Sequence, residues 1–494
     1  MPSCSSHRSC QLLNFHYRVR AASNCLTRST CSSSPLPPRI SFAHAFPLTP
    51  PLPVRAAPAL QACEEAWGTR LRGWRAGADC TVAQGLTCDP SGMISAIDLS
   101  MSNLTGPIPP DITTLTALTK LSLGDNSLSG AIPWQLSMLP LLMDLNLYSN
   151  NLSGPVPPQL GKLTVLTSLV LGRNQLSGSI PTTISALAAL TIDLSSNNIT
   201  GSIPASFSAH TNLQELCARP PLLPTEGSLQ YSLRDSSSFP CYLLALSVSP
   251  LQLSASSHVT PLTSSPVVWP LLLCCGRDLS SNDLEGPIPD SMGRMANLTV
   301  LNLSSNKLNG SIPAAIGSMT SLKHLYLHNN FLSSSLPSTL GGLSALVDLV
   351  VGNNRQLNGS IPDSLGSIST LERLVLSENS LQGTIPNTFS QLTNLEQLDL
   401  AWNGINGSIP ASLAAIASSL THLNIRQNEL TGSLPSALAS LSNLVNLDVS
   451  INDITGTLFD MANMTSLAVL AVGFNRLQGS IPSSITALHM LSHL

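Results

Sequence analysis

A short phrase of alternating hydrophobic and polar positions, Leu-x-Leu-x-x-Asn-x-Leu, recurs along most of the chain. An early copy that begins at Ile97 has Ser102 in place of the asparagine, and thirteen later copies carry it, which makes fourteen. The intervals between copies are 23 to 25 residues, apart from one wider gap. The asparagines are Asn126, Asn150, Asn174, Asn197, Asn282, Asn306, Asn330, Asn354, Asn379, Asn403, Asn428, Asn452 and Asn475. A fixed period of this kind is typical of proteins built from stacked repeats.

Each position of the phrase predicts a piece of local structure. The two leucines of Leu-x-Leu lie on the same side of a short strand, so they enter the core while the residue between them faces solvent. The asparagine falls where the chain turns inward, and its amide is predicted to hydrogen-bond backbone groups of neighbouring coils. A following Gly-x-Ile-Pro phrase, as at Gly130 to Pro133, permits a bend and then fixes φ. One coil cannot bury its leucines alone, so the sequence predicts a stack with a shared core.

This pattern matches the leucine-rich repeat, and the Gly-x-Ile-Pro phrase resembles the plant-specific class. That class forms the ectodomains of plant receptor-like kinases and receptor-like proteins, and the polygalacturonase-inhibiting proteins. The resemblance implies an α/β solenoid, a leucine-rich repeat horseshoe of about fourteen 24-residue coils. It implies a parallel sheet on the concave face and short 3-10 or irregular segments on the convex side. In that family the concave strand residues usually contact ligands.

Residues 1–62 differ from the repeats and are predicted to be a leader, disordered or wrongly assigned to the protein. The segment has six arginines but no Asp, Glu or Lys, and it lacks the apolar stretch of a conventional signal peptide. An upstream extension of the reading frame, an organellar transit peptide and an atypical secretory leader are the open alternatives.

Residues 63–93 are predicted to form an N-terminal cap, because the first coil of a solenoid otherwise exposes an apolar end. The segment resembles the plant cap motif in which two cysteines flank a Trp-x-Gly-Val sequence, although Ala83 stands where that tryptophan is expected. The resemblance implies a disulfide between Cys80 and Cys88.

An insertion at 217–277 separates the repeats of 94–216 from those of 278–494. Removing it joins Leu216 to Asp278 and restores a repeat with no remainder. The segment contains no Asn, Lys or Ile. It is interpreted either as a translated intervening sequence or as an island loop, as in kinases resembling the brassinosteroid receptor. At the other end, the repeats reach residue 494 without a C-terminal cap, so a truncated array is expected.

The composition and motifs argue against several functions. The net charge is -4 and only 10% of residues are charged, which argues against a nucleic-acid partner. The sequence has no apolar stretch of roughly 18–20 residues, so no membrane span is predicted. Kinase, phosphate-loop, nucleophile-elbow and zinc-protease motifs are missing from it, as is Cys-x-x-Cys spacing. A non-enzymatic protein without a metal or cofactor is therefore predicted.

Aromatic and basic residues at solvent-facing strand positions are the candidate contacts. His324, Tyr326 and His328 alternate with leucines, so period 2 places all three on the exposed concave face. Tyr, Trp and Arg dominate binding hot spots, whereas ordinary surface variation is the alternative. For Trp402 the alternative is that it covers an adjacent turn. The predicted ligand strip comprises Tyr326, His328, Arg373, Trp402, His422 and Arg426.

Nine Asn-x-Ser/Thr sequons predict N-glycosylation, although the repeat phrases generate sequons automatically. They are Asn103, Asn151, Asn198, Asn297, Asn302, Asn309, Asn358, Asn406 and Asn463. By resemblance, the chain is expected outside the cell or on the outer face of the plasma membrane. There it would bind a protein or peptide ligand, and a co-receptor repeat protein, in signalling or defence. The alternative is a free-standing secreted inhibitor similar to the polygalacturonase-inhibiting proteins.

Overall fold

Two long sheets run along the repeats in a computed structural model, which describes residues 56–74, 83–188, 191–209 and 277–493. The first sheet has fifteen strands over these residues. Its first strand pairs antiparallel with the second, and the fourteen strands from the second onward run parallel, one in each copy of the phrase. The strands are β1 (Leu86–Cys88), β2 (Ile94–Asp98), β4 (Lys120–Ser122), β6 (Asp144–Asn146), β8 (Ser168–Val170), β10 (Thr191–Asp193), β12 (Arg277–Asp278), β14 (Val300–Asn302), β16 (His324–Tyr326), β18 (Asp348–Val350), β20 (Arg373–Val375), β22 (Gln397–Asp399), β24 (His422–Asn424), β26 (Asn446–Asp448) and β27 (Val469–Ala471).

The second sheet is built from the strands that follow the asparagines, and it has twelve members over the described residues. They are β3 (Thr105–Gly106), β5 (Ser127–Ala131), β7 (Asn151–Pro155), β9 (Gln175–Ser179), β11 (Asn198–Gly201), β13 (Asp283–Pro287), β15 (Lys307–Gly310), β17 (Phe331–Ser335), β19 (Gln356–Ser360), β21 (Ser380–Gly383), β23 (Gly404–Ser408) and β25 (Glu429–Thr431). These strands pair parallel from coil to coil.

Short 3-10 helices follow the second strand of most coils and form the convex side. Each of the thirteen 3-10 helices given below begins directly after a Pro, which lacks the backbone N–H that a strand ladder would need. The helices are Pro110–Thr114, Trp134–Met138, Pro158–Lys162, Thr182–Ala186, Ala205–Ala209, Asp290–Arg294, Ala314–Ser318, Ser338–Gly342, Asp363–Ser367, Asn387–Gln391, Ala411–Ile416, Ser436–Ser440 and Ser483–Ala487. The predicted leucine-rich repeat solenoid, with its parallel concave sheet and 3-10 convex side, is confirmed.

The repeated leucines form the continuous core that the periodicity predicts. Leu121, Leu145 and Leu169 lie opposite one another on neighbouring strands, and all three are fully buried. The second leucine of the phrase is also buried, as at Leu123 and Leu147. Each coil therefore covers the apolar side chains of the next.

The asparagines form a hydrogen-bonded ladder along the edge of the core. The Asn150 Nδ2 donates to the Leu123 carbonyl of the preceding coil at 3.0 Å and to the Leu147 and Tyr148 carbonyls of its own coil, both at 3.2 Å. Its Oδ1 accepts the Leu128 N–H of the preceding coil at 2.9 Å. The same arrangement, with small variations, recurs from Asn126 to Asn475. The predicted bonds between the asparagine amides and neighbouring backbone are confirmed.

The N-terminal end is covered by helix α1 (Ala57–Trp67). Trp67 is fully buried, makes an edge contact with Trp74 at 6.0 Å between ring centroids, and accepts a hydrogen bond from the Thr105 hydroxyl at 3.3 Å. The helix crosses the predicted boundary at residue 62, because Ala59 and Leu60 already pack into the core. Its Cys63 is free and buried, and burial raises the pKa of the thiol to about 12.

The described residues include one of the two cysteines of the predicted disulfide. Cys88 is disulfide-bonded, whereas Cys80 lies outside the described residues. The pairing of these two cysteines therefore stays a prediction.

The predicted leader up to residue 55 also lies outside the described part. Among the described residues, no helix is both long and apolar enough to cross a bilayer.

The predicted insertion ends inside a strand. Residues 217–276 lie outside the described part, and β12 begins at Arg277. Arg277 pairs with Leu301, so it occupies the strand position at which the phrase places a buried leucine. This position is the one that Leu216 would occupy if the insertion were removed.

Deleting residues 217–277 is expected to raise the melting temperature by several degrees. The deletion places Leu216 at the buried position, and burying a leucine side chain contributes about 2 kcal/mol. Differential scanning calorimetry would measure the change. The matched control deletes 216–276, which has the same length but retains Arg277 at that position. Equal melting temperatures for the two deletions would contradict this interpretation of the boundary.

Replacing a ladder asparagine is expected to weaken the coils on both sides of it. Asn330→Ala leaves buried carbonyls without donors, and each such loss costs about 1–3 kcal/mol. The measurement is calorimetry together with hydrogen exchange of the adjacent coils. The control is Asn394→Ala, because this exposed amide makes one bond, to the Ser369 carbonyl. A loss no larger than that of the control would contradict the role of the ladder.

Candidate functional site

Strand register brings a histidine, an aspartate and an arginine side by side on the concave sheet. In the ladder joining β16, β18 and β20, His324 pairs with Asp348, and Asp348 pairs with Arg373. The three residues stand directly before the first leucine of their phrases, which explains their alignment. The coil stack therefore converts a spacing of 24 or 25 residues into direct neighbours.

The Asp348 carboxylate is the centre of this group. Only 6% of the residue is exposed, and its Oδ2 accepts the Tyr326 hydroxyl at 2.6 Å. The His324 Nδ1 lies 2.8 Å from the same oxygen, and the Arg373 Nε lies 3.6 Å from Oδ1. We call His324, Tyr326, Asp348 and Arg373 the Asp348 cluster. Its members come from three adjacent coils, so it ties those coils together at the concave surface.

The cluster perturbs the ionisation of its members. Burial alone would raise the pKa of Asp348, but hydrogen bonds from His324 and Tyr326 and the charge of Arg373 outweigh it, so this pKa lies below its usual range. Burial and the bond to Asp348 raise the pKa of the Tyr326 hydroxyl, which therefore stays protonated. The carboxylate is consequently charged at neutral pH and holds its three neighbours in fixed positions.

The prediction that Tyr326 is exposed is wrong. Only 7% of the residue is accessible, because its hydroxyl is bonded to Asp348 and its ring lies between those of His324 and His328. The two histidines are partly exposed, and burial lowers the pKa of His328. Sequence reasoning also missed Asp348. Its place directly before Leu349, equivalent to that of His324 one coil earlier, is the signal that could have revealed it.

A second group lies on β24, β26 and the residues after them. The Arg426 Nη1 donates to the Ser450 hydroxyl at 3.0 Å and lies 3.9 Å from the Asp448 Oδ2. His422 is exposed at the start of β24, yet the protein around its ring removes part of its hydration and lowers its pKa, although the charge of Glu396 opposes this. Arg373 and Arg426 thus each have an aspartate on an adjacent coil that orients the guanidinium.

Asp399 lies between these two groups, and its pKa is raised, whereas that of Asp348 is lowered. Burial raises the pKa of Asp399, and the charges of Glu378 and Asp448 add to the rise. The Ala401 N–H donates to its Oδ1 at 3.1 Å, which opposes the rise without cancelling it. The fold therefore stabilises the charged form of Asp348 and disfavours the charged form of Asp399, although both residues lie on concave strands.

Trp402 lies beside the sheet rather than on it. It follows β22 in the turn before Asn403, has a positive φ of 58°, and is 48% exposed. The residue before the asparagine has a positive φ in every described coil from Asp125 onward. The predicted ligand strip therefore has two parts: strand residues on the concave face, and Trp402 at its edge. The contact of Trp402 with a ligand stays a prediction.

The predicted glycosylation sites differ in accessibility. Eight of the nine sequon asparagines are exposed, whereas Asn302 is buried in β14. The Asn302 Oδ1 accepts the N–H and the hydroxyl of Ser304 at 3.0 and 2.7 Å. A glycan on Asn302 is incompatible with this arrangement, because only 6% of the residue is exposed. Across the described residues, no group of three or more His, Cys, Asp or Glu is arranged to hold a metal ion.

Two family models match the chain. A model of a leucine-rich repeat region matches residues 272–424, and a model of the single leucine-rich repeat matches residues 141–163, 165–187, 190–210 and 419–441. Together with the two sheets and the asparagine ladder, these matches define the chain as a leucine-rich repeat protein.

Short stretches of the chain are similar to plant receptor-like proteins and kinases. Receptor-like protein 47 of Arabidopsis thaliana is 41% identical over 63 residues, which is 12% of this chain and 8% of that protein. Receptor-like protein kinase 7 of the same species is 49% identical over 53 residues, or 10% of this chain and 5% of the kinase. The matches thus span less than a tenth of either relative.

Solved structures extend the similarity to most of the chain. The plant peptide hormone receptor RGFR1, in complex with RGF2, superimposes with a TM-score of 0.58 and 29% identity, covering 83% of this chain and 62% of the receptor. The ectodomain of the Arabidopsis receptor kinase HAESA superimposes with a TM-score of 0.54 at 24% identity, over 89% of this chain and 76% of the receptor. The second likeness concerns the fold alone. The chain resembles the ectodomain of plant leucine-rich repeat receptor-like proteins and kinases.

The two concave aspartates are expected to respond oppositely to neutralisation. At pH 7, Asp348→Asn should lower the melting temperature, because a carboxylate with a depressed pKa stabilises the fold above its unfolded pKa of about 3.9. Asp399→Asn should raise it by about 2 °C, because the folded protein disfavours that charge. The Asp399 difference should shrink as the pH falls through its raised pKa toward about 3.9, whereas the Asp348 difference should persist to about 3.9 and shrink only below that pH. Calorimetry from pH 3 to 7 would check this, and shifts of the same sign would contradict it.

Proposed function

We propose that the chain recognises a peptide or protein ligand across the concave strands β16 to β24, outside the cell or at the outer face of the plasma membrane. The observation that carries this proposal is the pair of oriented arginines, Arg373 and Arg426. Their side chains are 29% and 28% exposed, and each is held near an aspartate of an adjacent coil. A ligand therefore meets guanidinium groups that are already ordered.

Prior ordering favours binding because less side-chain entropy is lost on association. Arg373 begins β20 and Arg426 follows β24, and these two strands lie about 10 Å apart at the usual spacing. Arg426 is also displaced along the chain, because the residue in register with Arg373 is His422, four positions earlier. An extended ligand that crosses the coils could accept hydrogen bonds from both guanidinium groups, through carboxylate or carbonyl oxygens. His422 lies on the same path, and Trp402 adds an exposed aromatic surface at the edge.

Similarity to solved receptors supports a ligand of this kind. RGFR1, a plant peptide hormone receptor, was solved in complex with RGF2, and its structure resembles most of this chain. A role in signalling or defence, with an additional co-receptor, belongs to the same proposal. In this role the chain supplies recognition rather than catalysis. The Asp348 cluster orients side chains and keeps the coils in register.

A random dodecapeptide library displayed on phage provides the test. Panning on the immobilised chain is expected to enrich peptides whose affinity falls about tenfold for the double variant Arg373→Ser/Arg426→Ser, the loss expected when two hot-spot side chains are removed. The control variant Arg173→Ser/Arg294→Ser also removes two positive charges, but at residues outside the strip, and should bind the peptides as the wild type does. Peptides that bind all three proteins equally would reject the concave site. Trp402→Ala, measured with the same peptides, tests the edge contact separately.

A further inference from the structure

An exposed aromatic ring stands out on the second sheet. Phe331, the first residue of β17, is 54% exposed, although the other outward positions of that strand are serines. In the ladder between β15 and β17, Phe331 pairs with Asn309. Both residues are exposed, so their side chains project from the same surface.

Asn309 begins the sequon Asn309-Gly310-Ser311. Adjacent parallel strands lie about 5 Å apart, so a sugar joined to the Asn309 amide starts within van der Waals reach of the Phe331 ring. Among the described residues, no side-chain hydrogen bond holds Asn309, and its amide is available for modification. The apolar face of a sugar ring is a suitable cover for an exposed aromatic ring.

Two further sequons provide an internal comparison. Asn358 in β19 and Asn406 in β23 also begin Asn-Gly-Ser phrases and are exposed at the same position of their strands. Their ladder partners are Ser380 and Glu429 rather than an aromatic residue. The three sites therefore share a sequence and a backbone setting and differ in the side chain beside them. The Asn358 amide also donates to the Gln356 carbonyl at 3.4 Å, so Asn406 is the better matched control.

A groove continues from Phe331 toward the next coil. It has a volume of about 490 Å³, and its lining is rich in amide side chains, including Asn329, Asn353 and Gln356. The Asn353 Nδ2 donates to the Asn329 Oδ1 at 2.9 Å, and the Asn329 Nδ2 donates to the Ser305 hydroxyl at 3.2 Å. Such a chain of amides offers further donors and acceptors to the hydroxyl groups of a saccharide.

One residue that lines the groove is an addition to the repeat. The step from Asn354 to Asn379 is 25 residues, one more than the preceding step, and Arg355 is the additional residue before β19. A turn closed by the Leu357 N–H and the Asn354 carbonyl, at 2.7 Å, accommodates it. The Arg355 Nη2 lies 3.7 Å from the Glu378 Oε2, so an acidic side chain faces the groove's charged lining residue. This balance of charge suits a neutral sugar.

We propose that Asn309 carries an N-linked glycan whose first sugar stacks on Phe331 and whose later sugars follow the amide-lined groove. The proposal rests on the extracellular location given under the proposed function. The glycan explains why an aromatic ring remains uncovered by protein at this point of the sheet. It also confines one glycan to the second sheet, so the concave strands stay open.

The test is the release of glycans from the folded protein, secreted by plant cells, with peptide-N-glycosidase. Mass spectrometry of peptides over time gives the rate at each site. We expect release at Asn309 to be about fivefold slower than at Asn358 and Asn406, because stacking shields the linkage. Phe331→Ser should bring the Asn309 rate to the level of the other two, which should not change. Phe331→Tyr should retain the protection.

Each outcome separates this proposal from the proposed function. Glycans at Asn358 and Asn406 with none at Asn309, or equal release at all three sites, would overturn the stacking and leave the extracellular location standing. No glycan at any of the three in the secreted protein would also overturn it. A heterologous signal peptide directs the chain into the secretory pathway in this experiment, so the stacking is tested by itself. Peptides that bind the wild type and both arginine double variants equally would reject the concave site and leave the stacking standing.

Discussion

The asparagine ladder is the interaction on which the rest of this structure depends. Most of these amides join three carbonyls and one N–H of two successive coils, as Asn150 does, at the place where the backbone leaves the first sheet. Asn379 joins two carbonyls and one N–H. Buried backbone groups without partners would be costly, so the ladder fixes the turn in every coil. The strands on either side of the turn then fall into register, and both sheets follow from that register. The concave cluster and the pairing of Asn309 with Phe331 are later consequences of the same constraint.

The fold could be predicted from the sequence because the repeat determines it locally and many times over. The leucine and asparagine positions of the coils give one consistent answer, and each coil requires only its neighbours. The extent of the cap was harder to predict, because Ala59 and Leu60 carry no repeat signal and their burial depends on a helix packing across the first coils. The same holds for Arg277, whose place in the strand is set by pairing with Leu301 rather than by its own residue type.

The site was predicted less well, for a reason visible in Tyr326 and Asp348. Strand alternation indicates which face a side chain takes, but the partner of that side chain lies on another coil. The hydroxyl of Tyr326 turns toward Asp348 because a carboxylate stands one strand away, 22 residues later in the chain. A search for aromatic and basic residues finds Tyr326 and Arg373 and passes over the acid that orients both. Reading the repeats in aligned columns, rather than along the chain, would have placed His324, Asp348 and Arg373 together.

The turn before each ladder asparagine affects how the side chains at the rim of the concave face can vary. Its residue has a left-handed backbone conformation, yet in different coils it is Asp125, Arg173, Glu378, Trp402 or Phe474. The neighbouring asparagine, not the residue itself, holds this conformation, so the side chain contributes little to folding. The row of turns therefore acts as a series of independently variable positions on a constant frame. A single substitution there could change charge or shape at the rim of the concave face while the coils beneath retain their register.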